Sequence, residues 1–179
     1  FFVLSGFLIT GILLDTKSRE GYFRNFFMRR SLRIFPLYFT ALAVCLWVLP
    51  SIFSLSDFDA PRSQQAYLWT YLTNVRMSWL NEWCFGPLDH FWSLAVEEHF
   101  YLVWPFVVFF LSSKSLLRLT VILILVVGAA RLLAIAKPEL DVAIDVLTVF
   151  RLDGLCFGAA LAVIMRQGFS TSLIEKIAK

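Results

Sequence analysis

The chain has 179 residues, 59% of them hydrophobic and only 16% charged, with 19 Phe, 6 Trp and a net charge of +3. A soluble domain is nearer half apolar and a quarter charged, so this composition excludes an ordinary water-solvated fold and points to lipid as the main solvent. The small net charge leaves no nucleic-acid footprint. Cys45, Cys84 and Cys156 are too far apart for a disulfide framework or a metal spacing and read as packing residues.

The first element is the apolar run FFVLSGFLITGILL, which begins at Phe1. Fourteen residues rise about 21 Å as a helix, short of the ~30 Å hydrocarbon core, so further turns are expected upstream and the chain is expected to be a segment of a longer protein. The run lacks the basic flank and cleavage site of a signal peptide. Four further runs, 34–55, 91–111, 116–136 and 146–165, each have spanning length. Between the first two of these, 64–80 interleaves aromatics with polar groups, the pattern of an interfacial or re-entrant helix.

Charge placement tests that count. With the first loop inside, Lys17, Arg19, Arg24, Arg29, Arg30, Arg33, Lys114, Arg118, Arg166, Lys176 and Lys179 are cytoplasmic, eleven of the 16 Lys and Arg. This follows the positive-inside rule, whereas a crossing at 64–80 would put Lys114 and Arg118 outside. The expected fold is therefore all-α, a polytopic transmembrane helical bundle forming a single domain over 1–179.

Three stretches carry chemistry. In FRNFFMRRSLRIFPLYF (23–39), Arg30 and Arg33 share a helical face at the inner interface, with Arg29 four residues before Arg33, and Pro36 suits the first turn of the next span. Paired guanidiniums there either grip a phosphate in forked geometry or anchor the helix to anionic headgroups. In HFWSLAVEEHFYLVWP (90–105), Asp89 is placed to cap a helix on which His90, Ser93 or Leu94, Glu97 and Tyr101 form one stripe. Glu98 lies about 100° from Glu97, and both sit roughly 10 Å into the helix from its outer end. An ionised group in a membrane helix costs about 3 kcal/mol on insertion scales, so it normally faces a protein interior. These carboxylates either orient a base and bind a substrate hydroxyl or form a structural ion pair. His99 is off the stripe, and His90 and His99 do not share a face, so no metal site is expected. In RLDGLCFGAALA (151–162), Arg151 and Asp153 pair with each other, or Arg151 reaches Glu97 or Glu98, while Gly154, Gly158 and Ala162 make a small-residue face for close helix packing.

FFVLSGFLIT, RRSLRIFPLYF, HFWSLAVEEHFYLVWP and RLDGLCFGAALA resemble, in order and separation, the acyltransferase 3 family of integral membrane acyltransferases. The resemblance implies a ten-helix, multi-pass protein of the inner membrane, of which this chain corresponds to helices two to six. It implies transfer of an acyl group, most often acetyl from acetyl-CoA, to hydroxyls of cell-surface or exported carbohydrates, with acyl-CoA as co-substrate and no resident cofactor. Arg30 and Arg33 match the motif implicated in acyl-CoA binding, and Ser93 and Glu97 match a Ser-x-x-x-Glu feature. The family's first-helix histidine and arginine would precede Phe1, so the segment alone is expected to be inactive. On this reading Glu97, Glu98, Ser93 and His90 are the catalytic candidates, and Arg151 and Asp153 support them. The alternative is a transporter whose buried charges line a path for a polar or acylated solute.

Overall fold

The computed structural model describes residues 1–53 and 56–167. The end of the expected 34–55 run, together with Lys176 and Lys179, lies outside the described residues. Among the described residues every regular element is helical. Helix α1 (Phe2–Thr16) is followed by a polar turn, in which Gly21 adopts φ 70, the left-handed conformation that glycine accepts without a Cβ clash. Helix α2 (Tyr22–Ala43) continues through a π turn at Val44–Val48 into α3 (Leu49–Phe53). Together they form one helical stretch of 32 residues.

That helix starts twelve residues earlier than the apolar run suggested, and Pro36 lies inside it rather than at its start. A proline within a helix removes one backbone donor, but it does not end the helix where neighbouring packing holds the turn. Here Phe35 packs on Tyr71 and Tyr38 on Phe91, with ring centroids 6.1 and 5.3 Å apart.

Residues 59–80 fold into α4 (Asp59–Ser63), α5 (Gln65–Trp69) and α6 (Thr73–Leu80). The longest of the three has 8 residues. It rises about 12 Å and cannot cross a bilayer. Helices α7 (Phe91–Phe110) and α8 (Ser113–Ala134) follow, and the Ser112 hydroxyl caps α8 by accepting the Ser115 N–H at 3.2 Å. The short α9 (Asp141–Val146) leads into α10 (Thr148–Arg166). Four stretches, Tyr22–Phe53, Gly86–Phe110, Ser113–Ala134 and Pro138–Arg166, are long and apolar enough to cross a membrane, and α1 is a shorter apolar helix.

The core begins where α1 lies against α10. A Cβ on Gly158 would collide with the Val3 carbonyl oxygen, and one on Gly6 with the Leu155 carbonyl, so both helices depend on glycine for their backbones to touch. In lipid, where apolar surface gains little from burial, such close backbone packing is what holds helices together. Ile9, Leu13, Leu155, Ala159 and Val163 then pack with Val96, Phe100, Trp104 and Val108 of α7. Trp104 donates its indole N–H to the Thr10 hydroxyl at 2.8 Å within that core, worth about 1 kcal/mol. A second cluster joins Tyr38, Leu42 and Leu46 of the long helix to Leu68, Met77, Phe85 and Val146.

Among the described residues three ion pairs stitch the helix ends. Arg166 forks onto Asp15 at 2.6 and 2.7 Å. Arg131 of α8 pairs with Asp153 at 3.1 Å, and Arg151 pairs with Asp145 at 3.0 Å. The expected pairing of Arg151 with Asp153, or with Glu97 or Glu98, is therefore corrected. The neighbouring helices bring other charges to each of them, which the spacing within one segment does not encode. Asp89 is likewise not the cap of α7, because its carboxylate accepts the Phe85 N–H at 2.8 Å and closes the preceding turn.

Candidate functional site

The site is built on the seam between α2 and α7, which run antiparallel. The Tyr22 hydroxyl donates to the Pro105 carbonyl at 3.1 Å, Phe23 stacks on Phe106 at 4.8 Å, and Tyr38 meets Phe91 farther along. Between these contacts the Arg30 guanidinium lies 3.7 Å above the Tyr101 ring. A cation over an aromatic face contributes about 0.5–2 kcal/mol, the upper end when water is excluded. Arg30 is eight residues into α2, about 12 Å from its start, and Tyr101 is near the middle of α7. Because the helix begins at Tyr22, Arg24, Arg29, Arg30 and Arg33 all lie along α2 itself.

Two cavities open on either side of this stack. The first, about 260 Å³, is lined by Ser5, Leu8 and Ile9 of α1, Arg30, Arg33 and Ile34 of α2, and Leu94, Glu97, Glu98 and Tyr101 of α7. The second, about 220 Å³, lies toward the break between α5 and α6 and is lined by Arg30, Glu98, Tyr101, Tyr71, His99 and Phe35 among others. Arg30, Glu98 and Tyr101 belong to both and form the partition.

Polar satisfaction singles out these walls. Among the described residues four buried side-chain atoms lack a hydrogen-bond partner: Arg30 Nε, Tyr71 Oη, Thr73 Oγ1 and Glu97 Oε1. Three of them belong to residues that line the two cavities. A buried polar group without a partner costs about 1–3 kcal/mol, more if charged, so three such groups beside two cavities mark this part of the fold as one where stability is given up. Glu97 is the only Asp, Glu, His, Lys or Arg among the described residues that is buried, at 6% exposure.

The structure therefore brings Arg30, Arg33, Glu97 and Glu98 to one cavity and leaves the remaining candidates elsewhere. His90 is exposed at the start of α7, and Ser93 donates its hydroxyl to the His90 carbonyl at 3.0 Å; neither lines either of these two cavities. Arg151 stands over the Trp92 ring at 5.4 Å, and Arg151 and Asp153 are both committed to ion pairs away from the site.

Sequence reasoning assigned no role to Ser5, whose hydroxyl hydrogen-bonds Tyr101, or to Tyr71. A lone serine in an apolar run was an available signal for the first. Nothing in the local pattern marks the second. His99, set aside as off the stripe, bonds Thr148 Oγ1 at 2.8 Å and lines the second cavity.

Comparison with known proteins places the chain in a family. A family model described as an acyltransferase domain, that of the acyltransferase 3 family, matches residues 1–165. An uncharacterized protein of Haemophilus influenzae is 33% identical over 141 residues, covering 72% of this chain and 57% of that protein. The Bacillus subtilis protein named "Putative peptidoglycan O-acetyltransferase YrhL" is 31% identical over 195 aligned positions, 99% of this chain and 30% of that one. Peptidoglycan O-acetyltransferase OatA of Listeria monocytogenes is 34% identical over 135 residues, 68% of this chain and 21% of that one. The chain thus spans between about a fifth and somewhat over half of the length of these relatives. No solved structure matches it. With its spanning helices and this match over most of its length, the chain is a multi-pass membrane protein that belongs to the acyltransferase 3 family.

Proposed function

We propose that this chain carries the transfer site of a membrane O-acyltransferase of the inner membrane. The enzyme moves an acyl group, acetyl in the expected case, from acyl-CoA to a hydroxyl of a cell-envelope carbohydrate. The observation that carries this reading is the meeting of Arg30, Arg33, Glu97 and Glu98 around one cavity inside helices otherwise made for lipid. Family membership and the names of the Bacillus and Listeria relatives support it.

In the reaction the acceptor oxygen attacks the thioester carbonyl carbon. The new C–O bond forms, the C–S bond breaks, and CoA leaves as a thiol with the proton that the hydroxyl gave up. Glu97, buried and lining the cavity, holds that hydroxyl and receives its proton. Arg30 and Arg33 face the anionic donor and the oxyanion that develops on the carbonyl, where fixed charge in a water-poor cavity is most effective.

The test is radiolabelled acetyl-CoA supplied to membranes containing the complete protein. Label should move to acceptor hydroxyls, and Arg30→Ala with Arg33→Ala should reduce transfer by about 100-fold with folding intact. Solute movement without acetyl-CoA consumption, or full activity in the double variant, would overturn the proposal.

A further inference from the structure

Ser5 stands apart from the other hydroxyls of α1. Thr16 donates to the Ile12 carbonyl of its own helix. Thr10 is fully buried, accepts the Trp104 indole N–H and borders neither of the two cavities beside the Arg30–Tyr101 stack. Ser5 is half-buried in the wall of the first cavity, with Arg30, Arg33 and Glu97, and its hydroxyl meets that of Tyr101. Its backbone is held from behind. Val3, Gly6 and Phe7 form the face of α1 that touches the backbone or glycine positions of α10, and helical geometry puts Ser5 on the opposite face. A side chain at Ser5 is therefore carried by the part of α1 that has the least freedom to move.

Two hydroxyls that share one hydrogen bond hold two protons, and the bond uses one. If Ser5 donated, the spare proton would be on Tyr101, which is 2% exposed and whose hydroxyl has Ser5 as its one partner among the described residues. Glu97 Oε1, on the same wall, takes no hydrogen bond from it. With Tyr101 as the donor, the spare proton is on Ser5, at the edge of the cavity, where a ligand accepts it. A buried donor left unpaired is costly, so the second arrangement is favoured. The Arg30 guanidinium, 3.7 Å above the ring, favours it as well, because positive charge over the face strengthens the phenol as a donor.

We propose that Ser5 is a further catalytic residue, whose O–H donates to the thioester carbonyl oxygen and to the oxyanion that forms there, with Tyr101 as the positioning residue behind it. The proposal rests on the acyl-transfer reading. As the acceptor oxygen bonds to the carbonyl carbon, the C=O electron pair moves onto oxygen, and the Ser5 hydroxyl meets that charge with a hydrogen bond. Ser5 keeps its proton and is unchanged when the C=O bond re-forms and the C–S bond breaks. It is not the nucleophile, because its one partner donates to it and no base is bonded to it to take its proton. Arg30 and Arg33 bring charge to the same oxygen, and a rigidly mounted hydroxyl adds direction.

The test supplies radiolabelled acetyl-CoA to membranes containing the complete protein and reads label in the acceptor. Ser5→Ala should lower kcat about 100-fold, the loss of one oxyanion donor, with the acetyl-CoA KM within about twofold. It strands the Tyr101 O–H, so the thermal midpoint of the protein in detergent should fall. Adding Tyr101→Phe removes both partners and should restore the midpoint without restoring the rate. Tyr101→Phe alone keeps a ring beneath Arg30 and should cost about 10-fold in kcat, with no further loss on the Ser5→Ala background. Full activity in Ser5→Ala, a rate that returns with the midpoint in the double variant, strictly additive losses, or label found covalently on Ser5 of the quenched wild type would each overturn the assignment and leave the transfer reading standing. Failure of the wild type to move any label would overturn both.

Discussion

The seam between α1 and α10 and the seam between α2 and α7 are made of opposite materials. In the first, Gly6 and Gly158 bring backbones into contact and nothing larger fits between them. In the second, aromatic pairs at Tyr22, Phe23 and Tyr38 hold the helices apart, and the space left between those props contains Arg30, Glu97 and Glu98. The difference shows how a lipid-solvated protein divides its work. Close packing of small residues supplies cohesion in one place, which allows charge and unsatisfied polar atoms to be carried in another.

The contrast can be broken at its tight side first. Gly158→Leu places a side chain where the Val3 carbonyl lies, so the two helices must separate. It should destabilise the fold by more than about 3 kcal/mol, seen as loss of the folded peak in size exclusion and of the thermal transition in detergent. A variant that keeps its wild-type midpoint would show that the seam is not what holds α1 to α10. On the open side the effect should fall on rate and spare stability. Glu97→Gln removes a buried charge with an unpaired oxygen, so the midpoint should hold or rise while turnover falls about 100-fold at unchanged acetyl-CoA KM. An unchanged turnover would remove Glu97 from the chemistry. The smallest effect should come from Gly128→Ala, because a Cβ there meets nothing within 4 Å. Its stability should change by no more than about 1 kcal/mol, in the stabilising direction, which separates glycines that serve packing from one that does not.

Several features of this division were legible in the residues alone. The helix-period stripe that carries Glu97 and Tyr101, the four-residue spacing of Gly154, Gly158 and Ala162, and the failure of 64–80 to span are all patterns within one segment. Such patterns report which face of an element a residue occupies. Motif order was similarly legible, and it points to the family whose model matches residues 1–165. What a single segment does not encode is its axial offset against its neighbours. That offset decides that Arg131 meets Asp153, that Arg151 meets Asp145, and that Arg30 lies beside Tyr101.

The amino-acid sequence by itself determined a membrane-embedded helical chain with charges that must face inward, since composition and periodicity settle what lipid will accept. Only the tertiary structure decided which of those charges share a cavity, that His90 and Ser93 stand outside it, and that Tyr71 stands at the wall of a second one. The physical reason is that the cost of a buried charge is set by its own residue type, whereas its partner is set by how far each helix slides along the next before their backbones touch.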